Sequence, residues 1–185
     1  ELRTPLNAVI GFSDVIVAQY MGPVGSQRYL DYARDINGAG HHLLSLINDV
    51  LDISKIEAGR VELEPAAIEP DAIVDATITL LRGQLAAKKL RFSKLVAAGC
   101  PAVWADGRAL TQVLTNLIGN AIKFTPEGGS IGVLVSPRGR FVEFAISDTG
   151  CGIAAADIDR VFKPFEQADN RYARRAQGTG LGLAL

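Results

Sequence analysis

Leu6, Ile10, Ser13 and Val17 step along the chain by four, three and four residues, with Val9 and Ile16 beside them. That is the period of a helix. It starts near Thr4, where Pro5 suits a first turn, and stops at Met-Gly-Pro-Val-Gly over 21–25, a cluster of turn formers. A second helix is predicted from Ser26 to about Ala58, with Gly59 as its C-terminal stop. Within it Ile36, Leu43 and Val50 recur every seven residues with Ile47 between them, and Leu44 and Leu51 repeat in parallel. Such a helix is roughly 50 Å long, and the shorter first helix covers only part of its stripe. Two hairpins packed as a four-helix bundle would bury the rest, so the pattern predicts a homodimer. The alternative is a hairpin packed on a second domain of its own chain.

After Arg60 the pattern changes. Residues 61–64 alternate apolar and acidic, as a strand does, and Pro65 and Pro70 bracket a short linker. A helix is predicted over 71–88, a strand over 90–96, and a short strand at Val103 and Trp104. A further helix runs over 106–124 with Asp106 as its cap. Strands over 130–136 and 141–148 are joined by a hairpin at Pro-Arg-Gly-Arg, and one or two helical turns follow at 157–162. Residues 163–177 carry no periodicity and read as a loop. The division predicted is a hairpin over 1–60, a linker over 61–69 and a second domain over 70–185.

Composition narrows the choice of partner. The 185 residues carry 19 Lys and Arg against 20 Asp and Glu, a net charge of −1, and 48% are hydrophobic. A core can be buried, while the basic excess or stripe of a nucleic-acid binder is missing, so no nucleic-acid partner is expected. Cys100 and Cys151 form no metal-binding spacing and read as reduced cytoplasmic thiols. No apolar run reaches the length of a membrane span, so no membrane contact is expected of these residues. The parent protein could still be membrane-anchored. Both ends read as cut: the first residue is Glu1, and residues 182–185 stop inside an apolar run without a helix-end signal.

Three features carry candidate chemistry. Gln112, Asn116, Asn120 and Lys123 fall in one sector of the helix over 106–124, while Leu110, Val113, Leu114, Leu117 and Ala121 take another face and suit a core. Amide oxygens are hard ligands for Mg²⁺ and Lys neutralises phosphate oxygens, so this face could serve a metal–phosphate pair or simply face solvent. Asp148 ends an apolar strand ahead of Gly150 and Gly152. Its carboxylate could accept from an exocyclic amine such as that of adenine, or bond its own backbone in a tight turn. Gly178, Gly180 and Gly182, with Thr179 and Leu181 between, open what reads as another helix and could bind an anion. The preceding loop, with Lys163, Arg171, Arg174 and Arg175, is either a basic flap or a solvated segment.

The order of these features is specific. QVLTNLIGNAIKFT at 112–125, DTGCGI at 148–153, VFKPFEQ at 161–167 and GTGLGL at 178–183 closely resemble the asparagine, first glycine, phenylalanine and second glycine boxes of the histidine kinase ATP-binding domain. ELRTPLN at 1–7 resembles the end of that family's phosphoacceptor box, and residues 43–59 its second dimerisation helix.

The resemblance implies an α+β protein: a helical hairpin that forms a dimeric four-helix bundle, then a two-layer α/β sandwich that binds ATP and has a mixed sheet. It also implies roles. Asn116 and Asn120 would hold Mg²⁺ and the phosphates, with Lys123 near them. Asp148 would read the adenine amine beside Gly150 and Gly152, and Phe165 would anchor a lid. Gly178, Thr179, Gly180, Leu181 and Gly182 would line the triphosphate. The phosphorylated His would stand directly before Glu1, Glu1 would take its ring proton, and Thr4 would orient water when a partner aspartate is dephosphorylated. His41 and His42 match no acceptor motif.

The expected activity is autophosphorylation of that His by ATP, then transfer to an aspartate on a response-regulator receiver domain, with possible phosphatase activity. Since that His and the strands expected after the second glycine box lie outside residues 1–185, these residues alone are not expected to complete the reaction. The competing readings are a non-catalytic nucleotide-binding dimerisation module (a pseudokinase) and an ATPase of the gyrase or chaperone type. The helical hairpin speaks against the last.

Overall fold

The computed structural model describes residues 3–164, 166, 181 and 183. The chain divides into two compact units, Glu1–Arg60 and Val61–Leu185.

The first unit is a helical hairpin. Helix α1 (Arg3–Val17) and helix α2 (Gln27–Glu57) are joined by a turn in which Gln19, Gly22 and Gly25 all take positive φ. The predicted stripe is the buried one: Leu6, Ile10 and Ser13 of α1 face Leu30 and Ala33 of α2. Gly40 lets the helices approach closely, since a Cβ there would stand 2.8 Å from Ile10 Cγ1. Asn37 Nδ2 crosses the interface and donates to Ser13 Oγ (3.0 Å), Asp14 Oδ1 (2.8 Å) and the Ile10 carbonyl (3.3 Å). The heptad positions Ile36, Leu43 and Val50 remain 41–52% exposed in the single chain. Gly59, at φ +63°, follows the end of α2.

The second unit is a two-layer sandwich. Helices α3 (Pro70–Ala87) and α4 (Gly107–Phe124) cover one face of a three-stranded mixed sheet of β2 (Arg91–Val96), β4 (Ser130–Arg138) and β5 (Phe141–Asp148). Strand β4 lies in the middle, parallel to β2 and antiparallel to β5. All three strands alternate in exposure, as one-sided burial requires. Ile131, Val133 and Val135 of β4 meet Ile73, Val74, Leu81 and Leu85 of α3, and Leu114, Ile118, Ala121 and Ile122 of α4. Lys94, on the helix-facing side of β2, is held at 2.6 Å by both Asp71 and Asp75 of α3, and these bonds raise its pKa. After β5 come a short 3₁₀ turn, Ala155–Asp157, and one helical turn, α5 (Ile158–Val161).

One strand lies elsewhere than the alternation suggests. Residues 61–64 carry no ladder; β1 is Ala66–Ile68, inside the stretch read as a linker. It pairs antiparallel with β3 (Val103–Ala105) in the register Ala66↔Ala105 to Ile68↔Val103. Alternation fixes which side chains share a face, but a strand exists only where a partner offers backbone groups, and β3 is three residues long. The Glu64 N–H is satisfied instead by a side chain, donating to Asp106 Oδ2 at 2.9 Å. Asp106 also caps α4 as expected, its Oδ1 accepting from Arg108 N (2.8 Å) and Ala109 N (3.1 Å).

The backbone donors of Glu64, Ala109 and Arg108 hold the Asp106 carboxyl below the usual carboxylate range, against the opposing effect of burial. A carboxyl depressed in the folded state contributes stability above its unfolded value of about 3.9 and loses it as pH falls through the lower folded value. Asp106→Asn is therefore expected to melt below the parent at pH 7, with the gap narrowing as pH drops under about 4. Thermal unfolding across that range checks this; a gap independent of pH would show that the carboxylate charge is not what the three donors recognise.

Candidate functional site: the polar face of α4

Helix α4 is two-sided. Leu114, Ile118, Ala121 and Ile122 are buried against the sheet. Gln112 is exposed, while Asn116, Asn120 and Lys123 are half-buried along the opposite face. Val113, read from the sequence as core, is 45% exposed; Ile118 and Ile122 take that role instead. Burial lowers the Lys123 pKa, and its ammonium lies 5.0 Å from the centre of the Phe124 ring. An anionic phosphate beside it would counter that desolvation. Among the described residues no cluster of three His, Cys, Asp or Glu could hold a metal ion. Two amide carbonyls suit Mg²⁺ if phosphate and water oxygens complete its shell, the way this ion binds with nucleotides.

The end of α4 meets the turn after β5. Thr149 N–H donates to the Ser130 carbonyl (3.1 Å), and Ser130 N–H donates to Thr149 Oγ1 (3.0 Å). Gly150 N–H donates to Asp148 Oδ1 at 2.7 Å. Asp148 thus makes the tight-turn bond considered from sequence, and that bond fixes its carboxylate while Oδ2 remains to accept from a ligand. Gly150 makes room for protein: a Cβ would stand 2.6 Å from Asp148 Oδ1 and 2.8 Å from the Phe124 carbonyl oxygen. At Gly152 a Cβ would meet nothing within 4 Å, and glycine is called for by its φ of +67° alone.

The structure therefore brings Asp148 and Gly150 against the end of the helix that carries Asn116, Asn120 and Lys123. A cavity of about 660 Å³ opens along the first half of that helix, lined by Glu64, Asp106, Gly107, Arg108, Thr111, Gln112, Thr115 and Asn116. It shares only Gln112 and Asn116 with the expected face. Thr4 is exposed in the first turn of α1, and His41 and His42 are exposed on α2. Leu181 is fully buried. Glu1, Phe165, Gly178, Thr179, Gly180 and Gly182 lie outside the described residues, as does most of the loop over 163–177.

Sequence reasoning missed Lys88. Its Nζ donates to the carbonyls of Ile122 (2.8 Å), Lys123 (2.8 Å) and Thr125 (3.2 Å). Those partners are 34 to 37 residues away, and no local pattern marks such a bond.

The polar face of α4, backed by its apolar stripe, thus ends against the Asp148–Gly150 turn beside a mixed sheet. The family described as "Histidine kinase-, DNA gyrase B-, and HSP90-like ATPase" matches residues 105–185, and the family described as "His Kinase A (phospho-acceptor) domain" matches residues 1–59. The chain belongs to the sensor histidine kinases, with a phosphoacceptor region followed by an ATP-binding region.

It is similar to the "Non-motile and phage-resistance protein" of Caulobacter vibrioides, 45% identical over the whole chain and 22% of that protein. It is also similar to "Histidine protein kinase DivJ" of the same organism, 46% identical over the whole chain and 31% of that protein. The chain thus spans less than a third of the length of these two relatives. Among solved structures, full-length ShkA in complex with AMPPNP superposes with a TM-score of 0.81 at 32% identity, over 100% of this chain and 37% of that one. The histidine kinase AdeS of Acinetobacter baumannii superposes at 0.65 with 25% identity, over 100% of this chain and 82% of that one.

The two glycines separate by experiment. Gly152→Ala meets only the left-handed backbone penalty, about 1–2 kcal/mol. Gly150→Ala carries no such penalty, since Gly150 is not at positive φ. It sets a methyl 2.6 Å from Asp148 Oδ1 and 2.8 Å from the Phe124 carbonyl oxygen, and the backbone shift this forces is expected to lower Tm further in parallel thermal melts. Equal losses would mean that the turn moves freely on α4.

Proposed function

We propose that the chain is the catalytic core of a sensor histidine kinase, which phosphorylates a His directly before Glu1 from ATP and passes the phosphoryl group to a receiver-domain aspartate. The observation that carries this reading is the Asp148–Gly150 turn resting on the C-terminal end of α4, which joins an adenine reader to an amide face suited to Mg²⁺ and phosphate. The AMPPNP complex of ShkA supports the nucleotide class.

In this reading Asp148 Oδ2 accepts from the adenine amine and Gly152 gives the turn its course. Asn116 and Asn120 would hold Mg²⁺ with the phosphates, and the ion would offset charge on the phosphate oxygens as transfer proceeds. Lys123, poorly solvated where it lies, gains a counter-charge when the phosphates arrive. Phe165 anchors a lid, and the backbone N–H groups over 178–182 cradle the triphosphate. The imidazole nitrogen attacks the γ-phosphorus, the bond from that phosphorus to the bridging oxygen breaks, ADP leaves, and Glu1 takes the ring proton. Thr4, exposed on α1, orients water for removal of the phosphoryl group from the receiver aspartate. The exposed heptads of α2 pair with those of a second chain.

Incubated with γ-labelled ATP, the full protein is expected to gain an acid-labile, base-stable phosphoryl group on the residue directly before Glu1. Asp148→Asn places an amide where the adenine amine needs an acceptor. A mispaired buried group costs about 1–3 kcal/mol, roughly 5- to 150-fold in Kd. A protein that binds ATP and never labels is a pseudokinase; equal affinities for parent and Asp148→Asn would remove Asp148 from the base site.

Assembly is tested separately. Leu43→Asp puts an unpaired charge into the heptad seam, where burial is heavily penalised, so light scattering should read a dimer for the parent and a monomer for the variant. A monomeric parent at high micromolar concentration would refute the four-helix bundle.

A further inference from the structure

A helix ends with four carbonyls that find no partner within it. In α4 those groups lie at the junction with the Asp148 turn, and two of them accept from one side chain. Lys88, the residue that caps α3, donates to the carbonyls of Ile122 (2.8 Å), Lys123 (2.8 Å) and Thr125 (3.2 Å). The carbonyl between them, that of Phe124, is the group on which Gly150 rests, with no space for a Cβ. A positive charge at this place also faces the negative end of the α4 dipole. The contact is braced from the Lys88 backbone, whose carbonyl accepts from Gly128 N–H at 3.1 Å. Lys89, at φ +50°, turns the chain into β2, and Arg91 N–H donates to the Gly129 carbonyl at 2.9 Å.

We propose that Lys88 is a positioning residue for nucleotide binding: it fixes the carbonyl ledge at the end of α4 and thereby sets the distance between the Asp148 carboxylate and the Asn116–Asn120 face. The inference rests on the ATP reading above. Lys88 itself need touch no ligand. Its effect reaches the base end of the site through Phe124 and Gly150, so an uncharged ligand with the same base feels its loss as much as ATP does. That separates positioning from simple attraction of the ammonium for phosphate.

The test titrates ATP and adenosine against the purified parent, Lys88→Met and Asp148→Asn, and the double variant, well below the melting temperature of each. Lys88→Met keeps the apolar stem and removes the three donors. It is expected to raise Kd about tenfold or more for ATP and adenosine alike, and to add less than about twofold once Asp148 is already Asn. Where Lys88→Met does not fold, Lys88→Gln, which retains two N–H donors and loses the charge, is titrated under the same criteria. A folded Lys88 variant that binds both ligands as the parent does, or that loses ATP but keeps adenosine, or whose effect multiplies fully with Asp148→Asn, overturns the proposal. A parent that binds neither ligand sinks the nucleotide reading itself, and this inference with it.

Discussion

The ATP-binding unit depends on where the two ends of α4 find partners for their backbone groups. The first N–H and last C=O groups of a helix find no partner within it, and in α4 side chains from other parts of the chain meet several of them. At the first turn Asp106 supplies two acceptor contacts and reaches back to the segment before β1. At the last turn Lys88 supplies three donor contacts from the end of α3. Between these two ends the apolar stripe of α4 packs on β4.

The site is polar because the helix is shared between two solvents. Its inner face replaces water with Ile, Leu and Val side chains, and its outer face keeps hydrogen-bonding capacity at half-buried amides. Half burial of Lys123 is what makes its charge costly in the free protein and responsive to an anion. The Asp148 turn meets the same logic from the other side: an internal bond to Gly150 consumes one carboxylate oxygen and orients the other.

What the sequence made legible were the features written within a few residues of each other. The α1 stripe, the span of α2, the Asp106 cap and the three sheet strands follow from spacing and turn chemistry, and the ordered boxes pointed to the family. What stayed hidden depends on partners distant in the chain. Residues 61–64 alternate like a strand, yet pairing belongs to Ala66–Ile68 because β3 stands opposite them. Val113 is apolar and adjacent to core positions, but the sheet covers the sector of Ile118 and Ile122. The sequence shows a glycine at 150 but not its cause, the Phe124 carbonyl and Asp148 carboxylate that leave no space for a Cβ. Nothing near Lys88 announces that its ammonium closes a helix some 35 residues on.

In the hairpin, Asn37 and Gly40 together leave the two helices a single registry. Sliding α2 by one turn, about 5.4 Å, would pull Asn37 from Ser13, Asp14 and the Ile10 carbonyl at once. It would also bring Ile36 and Asn37, or Leu43 and Leu44, to the place where Ile10 now meets a glycine. Piston movement of one helix past the other is thereby blocked. Along their axes the two helices are tied to each other at Asn37 and Gly40 and move as one body.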